Sequence, residues 1–283
     1  FWPDILKSLN YFRLYSRSSM TIVLITFSSL FMPYLIYKSS SVSYFPFKKR
    51  VYFFCFLVIN FYPTLFFYSL DVYREMAMLA IFLLGVLAFK QSLAINIWGQ
   101  RVFQWSLLLL FSYVMYLFRP YLGGAFFIAI FSYRLFSFKS RYLYLLIFSY
   151  FVVLQMGYML GLFSRLMEYR EFFHSSLSGG SGLGITFKSD WLFLFNFIYS
   201  FISQILGIFY SGWKTLMVFF VESIPFIFIF IYLIKNRKYS NKLVDFLIVF
   251  FVVYSSVWLL GNDNLGTAVR LRIFSYIPIL ISF

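Results

Sequence analysis

Leu243–Phe283 reads LVDFLIVFFVVYSSVWLLGNDNLGTAVRLRIFSYIPILISF, and its layout decides the fold. Two apolar runs, Leu243–Leu260 and Ile273–Phe283, flank a short polar island, Gly261–Arg272. The first run is long enough to cross a bilayer at ~1.5 Å per residue. The island holds an Asn-Asp-Asn turn, a glycine and two arginines two apart, placed where a span should end. Arginine at a span end snorkels to lipid headgroups or serves a site. What else shares that side of the membrane decides between the two.

Working outward, the same alternation fills the chain. The hydrophobic fraction is 62% and the mean hydropathy is +0.85, whereas soluble domains are roughly half apolar. Apolar runs recur about every 20–30 residues with basic punctuation, the pattern of a helical bundle in lipid. The expected fold is all-α: a polytopic transmembrane helical bundle forming one domain over residues 1–283. Spans read as Ser19–Tyr37, Val51–Tyr68, Glu75–Gln91, Val102–Phe118, Tyr121–Tyr133, Tyr142–Leu162, Trp213–Ile234, Leu243–Leu260 and Ile273 onward, about nine in all. Phe1–Ser18 reads as an interfacial helix or the tail of a lost span. The chain starts at Phe1, and its last apolar run is too short to span, so it is expected to be a fragment lacking both ends.

Several classes are excluded. The single cysteine, Cys55, lies mid-span and rules out a disulfide framework. One histidine and scattered carboxylates make no zinc-type cluster, so neither metal nor cofactor is expected. The net charge of +15 sits in loops between spans rather than on a soluble basic face, so nucleic acid is not an expected partner.

Basic residues in short loops set the orientation. Lys38–Arg50, Lys90–Arg101, Arg134–Arg141 and Lys235–Lys242 alternate correctly, contain no acid, and are assigned to the cytoplasm. Leu162–Asp190 is then outside, so only one of Trp191–Tyr210 and Trp213–Ile234 crosses. Trp191–Tyr210 carries Asn196, Ser200, Ser203, Gln204 and Gly207 and ends in a Ser-Gly-Trp break. It is expected to be an interfacial or re-entrant helix within an outer loop spanning 162–212.

The charges sort by side. Eight of the nine acids fall outside or at outer span ends, Asp245 being the exception. Lysine outnumbers arginine eight to five inside, and arginine outnumbers lysine eight to three outside. Outer arginines run against the positive-inside rule. Their planar forks match phosphate oxygens two at a time. Asp71-Val-Tyr-Arg74-Glu75 opens a span and places Asp71 and Glu75 on one helical face with Arg74 adjoining. Either it caps the helix start, or Arg74 binds a diphosphate with Glu75 orienting it or acting as base. Arg119-Pro-Tyr-Leu-Gly-Gly124 marks a sharp turn between spans. The long outer loop carries Arg170 and His174, the only histidine and a candidate general base. Span interiors hold almost no charge, which favours chemistry at the surface over translocation.

These features resemble the Wzy-type O-antigen and capsule polymerases. The resemblance rests on D-x-x-R-E at Asp71–Glu75, R-P-Y at Arg119–Tyr121, one large outer loop with Arg and His, and N-x-G-T-x-x-R-x-R at Asn264–Arg272. It covers the layout of most of the chain. One departure is an R-x10-G pattern of some members: Gly180 stands ten positions after Arg170, where the pattern wants glycine at Ser181. The resemblance implies polymerisation of undecaprenyl-diphosphate-linked oligosaccharide repeat units at the outer face of a bacterial inner membrane. It implies that Arg74, Arg119, Arg170, Arg270 and Arg272, with Asn264, hold diphosphate or glycan. It also implies membrane lipids, a flippase and a chain-length regulator as partners. His174 or Glu75 is then the base, and no metal is needed. The rivals are another lipid-linked-sugar glycosyltransferase or ligase, a flippase or transporter of the same glycolipid, and a non-catalytic scaffold.

Overall fold

The computed structural model describes residues 1–40, 48–175, 182–187, 189–209 and 212–283. Regular structure among them is helical, apart from one isolated β-bridge between Gly182 and Asn264. The chain divides into two compact units, Phe1–Ser132 with Ile281–Phe283, and Tyr133–Leu280.

The first unit begins with α1 (Trp2–Tyr11), followed by α2 (Arg17–Ser39), α3 (Lys48–Asn60), α4 (Pro63–Ser69), α5 (Arg74–Ser92), α6 (Trp98–Phe118) and α7 (Pro120–Ser132). Its breaks follow from proline. A residue before proline is pushed out of the α region. Tyr62, before Pro63, is extended, and the stretch Tyr52–Asn60 meets α4 at a 69° bend. Arg119, before Pro120, is likewise extended, which ends α6 and starts α7. The α6–α7 hairpin is close because Gly123 has no side chain: a Cβ there would lie 2.3 Å from the Tyr116 amide nitrogen. Ser112 Oγ donates to the Gly123 carbonyl at 2.9 Å across the same contact. In α2 a π-bulge spans Phe27–Phe31, and the Asn60 amide donates to the Ser29 carbonyl inside it. A bulge loosens helical bonding, and a carbonyl at membrane depth needs a donor from the protein.

The second unit contains α8 (Leu143–Met159), α9 (Ser164–Ser175), α10 (Phe193–Gln204), α11 (Thr215–Lys235), α12 (Lys242–Gly261), α13 (Leu265–Leu271) and α14 (Ile273–Ser282). Gly161, at φ +70, ends α8 in a left-handed turn, and the stretch Ser164–Glu171 turns away by 75°. Within its apolar stretch α12 is 83% buried, against 22% for α6 and for α11. The last two therefore turn most of their apolar surface outward, as helices bathed in lipid do.

Among the described residues, six helices are long and apolar enough to cross a membrane, or up to eight if each bent pair is one span. The chain is a multi-pass membrane protein. The expected count of nine is not reached, because the predicted span Tyr121–Tyr133 is the thirteen-residue α7, only about 20 Å long. The last span also begins earlier than expected. Leu265–Ser282 passes as one apolar helical stretch, which takes Arg270 and Arg272 out of the predicted loop and into a span. Trp191–Tyr210 contains the twelve-residue α10, which at ~1.5 Å per residue is shorter than a bilayer core.

In each unit the lysine-rich ends meet. Lys90 Nζ donates to the Lys38 and Ser40 carbonyls at 2.7 and 2.6 Å, joining the C-terminal ends of α2 and α5. Arg237 donates to the Ser140 carbonyl at 3.2 Å. Asp245 accepts from the Phe138 amide at 2.9 Å and from Ser240 Oγ at 3.0 Å, joining two predicted cytoplasmic loops. The arginine–carboxylate pairs lie toward the other ends of the helices.

Candidate functional site

In the first unit the site forms where α5 starts and α6 ends. Pro120 fixes Arg119 in an extended backbone at the α6 terminus, and its Nη2 donates to Glu75 Oε1 at 2.9 Å. Glu75 is 1% exposed and Arg119 7%. Glu75 sits in the first turn of α5, where the helix dipole favours an acid. Arg74 Nε lies 3.9 Å from the same carboxylate oxygen, and its side chain is 41% exposed. Two cations therefore share one carboxylate. The buried Nη1 of Arg119 has no hydrogen-bond partner among the described residues.

Asp71 does not share a helical face with Glu75 as the spacing predicts. The helix starts only at Arg74. Asp71 instead accepts from the Val72 amide and from Arg17, at 2.7 Å each, in the turn before it. The Arg17 hydrogen bond, then the Val72 N–H, hold the Asp71 carboxyl below its ordinary range.

In the second unit the polar island is the hub. The last carbonyls of a helix lack intrahelical donors and carry its negative dipole end. Arg170, reaching from α9, supplies both donors and charge to α12. Its Nη1 donates to the carbonyls of Leu259 at 2.8 Å, Leu260 at 3.3 Å and Asn262 at 2.8 Å. Nε donates to the Ile185 carbonyl at 2.8 Å, and Nη2 to Asp263 Oδ1 at 2.6 Å. The guanidinium also sits over the Phe187 ring, 4.6 Å from its centre. Every nitrogen of Arg170 is thus bonded to the protein, and the pair is 3% and 2% exposed.

Asp263 ties down the segment that follows the glycine-rich stretch. Its carboxylate accepts from the amides of Gly184 at 2.9 Å and Ile185 at 3.2 Å, and its carbonyl from Leu183 at 3.0 Å. From α10, Gln204 exchanges bonds with Asn262: Nε2 to the Asn262 carbonyl at 3.0 Å, and Asn262 Nδ2 to Gln204 Oε1 at 2.6 Å. This accounts for Gln204, a polar residue that the sequence places in an otherwise apolar helix. Asn264 is the N-cap of α13, its Oδ1 accepting from the Thr267 amide at 3.0 Å.

Arg272 lies about two turns beyond Asn264, further into the span. Its Nη2 donates to Glu222 Oε2 at 3.2 Å and its Nη1 to Ser223 Oγ at 3.3 Å. Tyr276 stacks nearby, its hydroxyl bonded to Ser223 at 3.2 Å and to the Ile205 carbonyl. Glu222 and Ser223 belong to a π-bulge, Phe219–Ser223, of a kind that recurs at functional sites. Each member of the pair sits about 10 Å along its apolar helix, so the expectation that span interiors hold almost no charge does not survive. A lone acid inside the apolar run Trp213–Ile234 was the available signal.

Arg270 is partly exposed on the last turn of α13. His174 is on α9, four residues after Arg170, and its side chain lies outside the described residues. Of the predicted residues, the structure brings Glu75, Arg74 and Arg119 together in one unit. It gathers Arg170 with the Asn262–Asn264 turn in the other, and pairs Arg272 with Glu222. Comparison with protein-family models, with curated proteins and with solved structures found no match.

Proposed function

We propose that this chain is a membrane glycosyltransferase of the outer face of a bacterial inner membrane. It polymerises undecaprenyl-diphosphate-linked oligosaccharide repeat units into a surface polysaccharide such as O-antigen. The observation that carries this reading is a partly exposed arginine held away from the lysine-rich end of each unit. Arg74 stands beside the buried Glu75–Arg119 pair, and Arg270 lies on the helix that follows the turn bonded by Arg170 and Asp263. Buried pairs fix the backbone, and the adjoining fork meets an anion at the membrane surface.

The acceptor sugar's hydroxyl oxygen attacks the anomeric carbon of the donor, and the bond from that carbon to the lipid diphosphate breaks. In the second unit Arg270 stabilises the departing diphosphate, and in the first unit Arg74 and Arg119 hold a phosphate-bearing lipid. The hydroxyl proton goes to His174. Glu75 accepts from Arg119 and so orients it, while Arg170 and Arg272 position the turn and the helix that present Arg270 and Asn264. The partners are the lipid-linked oligosaccharide and membrane lipids, with a flippase and a chain-length regulator in the same assembly.

Incubation of the purified protein with lipid-linked repeat units, read as a ladder on a gel, tests this. A ladder that vanishes in a folded Arg270→Ala protein supports it, and no ladder from folded protein refutes it. A second reading, translocation of the same glycolipid, is favoured by the Glu222–Arg272 pair at membrane depth. Proteoliposomes that move the glycolipid across the bilayer, and stop doing so in Glu222→Gln, would favour that reading.

A further inference from the structure

The second unit contains a cavity of about 300 Å3 that no role above uses. It is walled by Phe151 of α8, Phe197 and Phe201 of α10, and Phe251, Val252 and Leu259 of α12. Three hydroxyls also line it, and all are turned to the protein. Tyr150 and Ser256 bond each other, Ser256 also donates to the Val252 carbonyl, and Ser255 pairs with Ser275 at 2.8 Å. The wall therefore offers an incoming molecule almost nothing but hydrocarbon. A sugar placed there would leave its own hydroxyls unpaired, and an ion would have no ligand.

The position narrows the occupant further. From Phe251 to Leu259 the cavity follows about 12 Å of the α12 axis, over a third of a bilayer's hydrocarbon thickness. Its far limit, Leu259, is the residue whose carbonyl Arg170 bonds. Beyond it come the Asn262–Asn264 turn and α13 with the partly exposed Arg270. A chain lying in the cavity would bring an attached anion to the arginine end of the unit.

We propose that this cavity binds a hydrocarbon chain of a phosphate-bearing membrane lipid, with the headgroup at the Asn262–Arg270 end. The assignment rests on the reading above that the substrate is lipid-linked, and names where its chain lies. A chain leaving the bilayer gains no hydrophobic transfer energy, because lipid tails are as apolar as the wall. Binding must come from packing and from the headgroup, so changing the shape of the cavity changes binding.

The test is photolabelling of the full chain in nanodiscs with a polyisoprenyl phosphate carrying a diazirine on its chain, mapped by mass spectrometry. Labels should fall on α10 and α12. Val252→Trp, which fills the cavity, should lower them by about tenfold. Ile198→Trp at the half-open rim should do the same if Val252→Trp misfolds, and Phe228→Ala on the outward face of α11 should change nothing. Excess unlabelled polyisoprenyl phosphate or phosphatidylglycerol then identifies the source of the chain, and competition by either supports the site. Labelling spread over outward residues and unchanged in both tryptophan variants overturns it. No sugar and no turnover are needed. Protein that labels as expected but makes no ladder refutes polymerisation alone, and protein that makes a ladder with indifferent labelling refutes the cavity alone.

Discussion

Arg119 in the first unit and Arg170 in the second are both buried guanidiniums facing one carboxylate, yet they are bonded very differently. Arg170 has all three nitrogens bonded, to four carbonyls and Asp263. Arg119 has the Glu75 contact, and its Nη1 lacks a hydrogen-bond partner among the described residues. A fully bonded guanidinium is a strut, closing a helix end and holding a loop. One with N–H groups to spare, beside a second cation, keeps capacity for an incoming oxygen. Burial and pairing alone do not separate the two roles; the count of satisfied donors does.

The strut predicts the largest effect. Asp263→Ala leaves Arg170 as an uncompensated buried charge and frees two backbone amides, so thermal unfolding in detergent should show a loss of about 3–5 kcal/mol. Glu75→Ala should be smaller, about 2–3 kcal/mol, because the Glu75 carboxylate ties down two arginines but no backbone loop. Removing both Glu75 and Arg119 should recover part of that loss, which a double-mutant cycle measures. If Glu75→Ala proves as damaging as Asp263→Ala, the contrast between the two arginines collapses.

Gly207 probes the buried Glu222 cluster. Its φ is +67, and a Cβ there would lie 2.5 Å from Ser223 Oγ and 2.9 Å from Arg272 Nη1. Gly207→Ala should destabilise by roughly 1–3 kcal/mol, read by the same melts. Arg270→Ala should change stability by no more than ~0.5 kcal/mol while abolishing the polysaccharide ladder. A similar melt with a full ladder would remove Arg270 from the site.

The smallest effect belongs to the exposed Arg17–Asp71 pair. Asp71 has a depressed pKa, so any stability it adds is present above the ordinary carboxylate range and fades as pH falls through its lowered value. Asp71→Asn should lower melting only slightly near neutral pH and flatten the loss in acid by the same small amount. A large effect at neutral pH would show that this pair orders the entry to α5.

The membrane character, the helical class and the ends of most helices were legible in the chain. Proline told where Arg119 leaves the helix, because its ring acts on the neighbouring residue, whereas the break at Tyr62 before Pro63 was read through as part of Val51–Tyr68. Leu243–Leu260 was read within one residue at each end of α12. The Asp71–Glu75 spacing misled, since a helix was assumed to start before Asp71, while the Asp71 carboxylate bonds the next amide and forms a turn. The span interiors also misled, since Glu222 was placed only at an outer span end.

What the sequence determined by itself is what depends on near neighbours and on the solvent: apolar runs long enough for lipid, breaks at proline and glycine, and lysine gathered in one set of loops. Only the tertiary structure decided which arginine is a strut and which faces outward. Arg170 finds its partners 15 and 89–93 positions away, Arg119 its carboxylate 44 away, and Arg272 its carboxylate 50 away. A guanidinium is bonded by whatever carbonyl or carboxylate the packed helices bring within about 3 Å, and no local pattern in the chain records that distance.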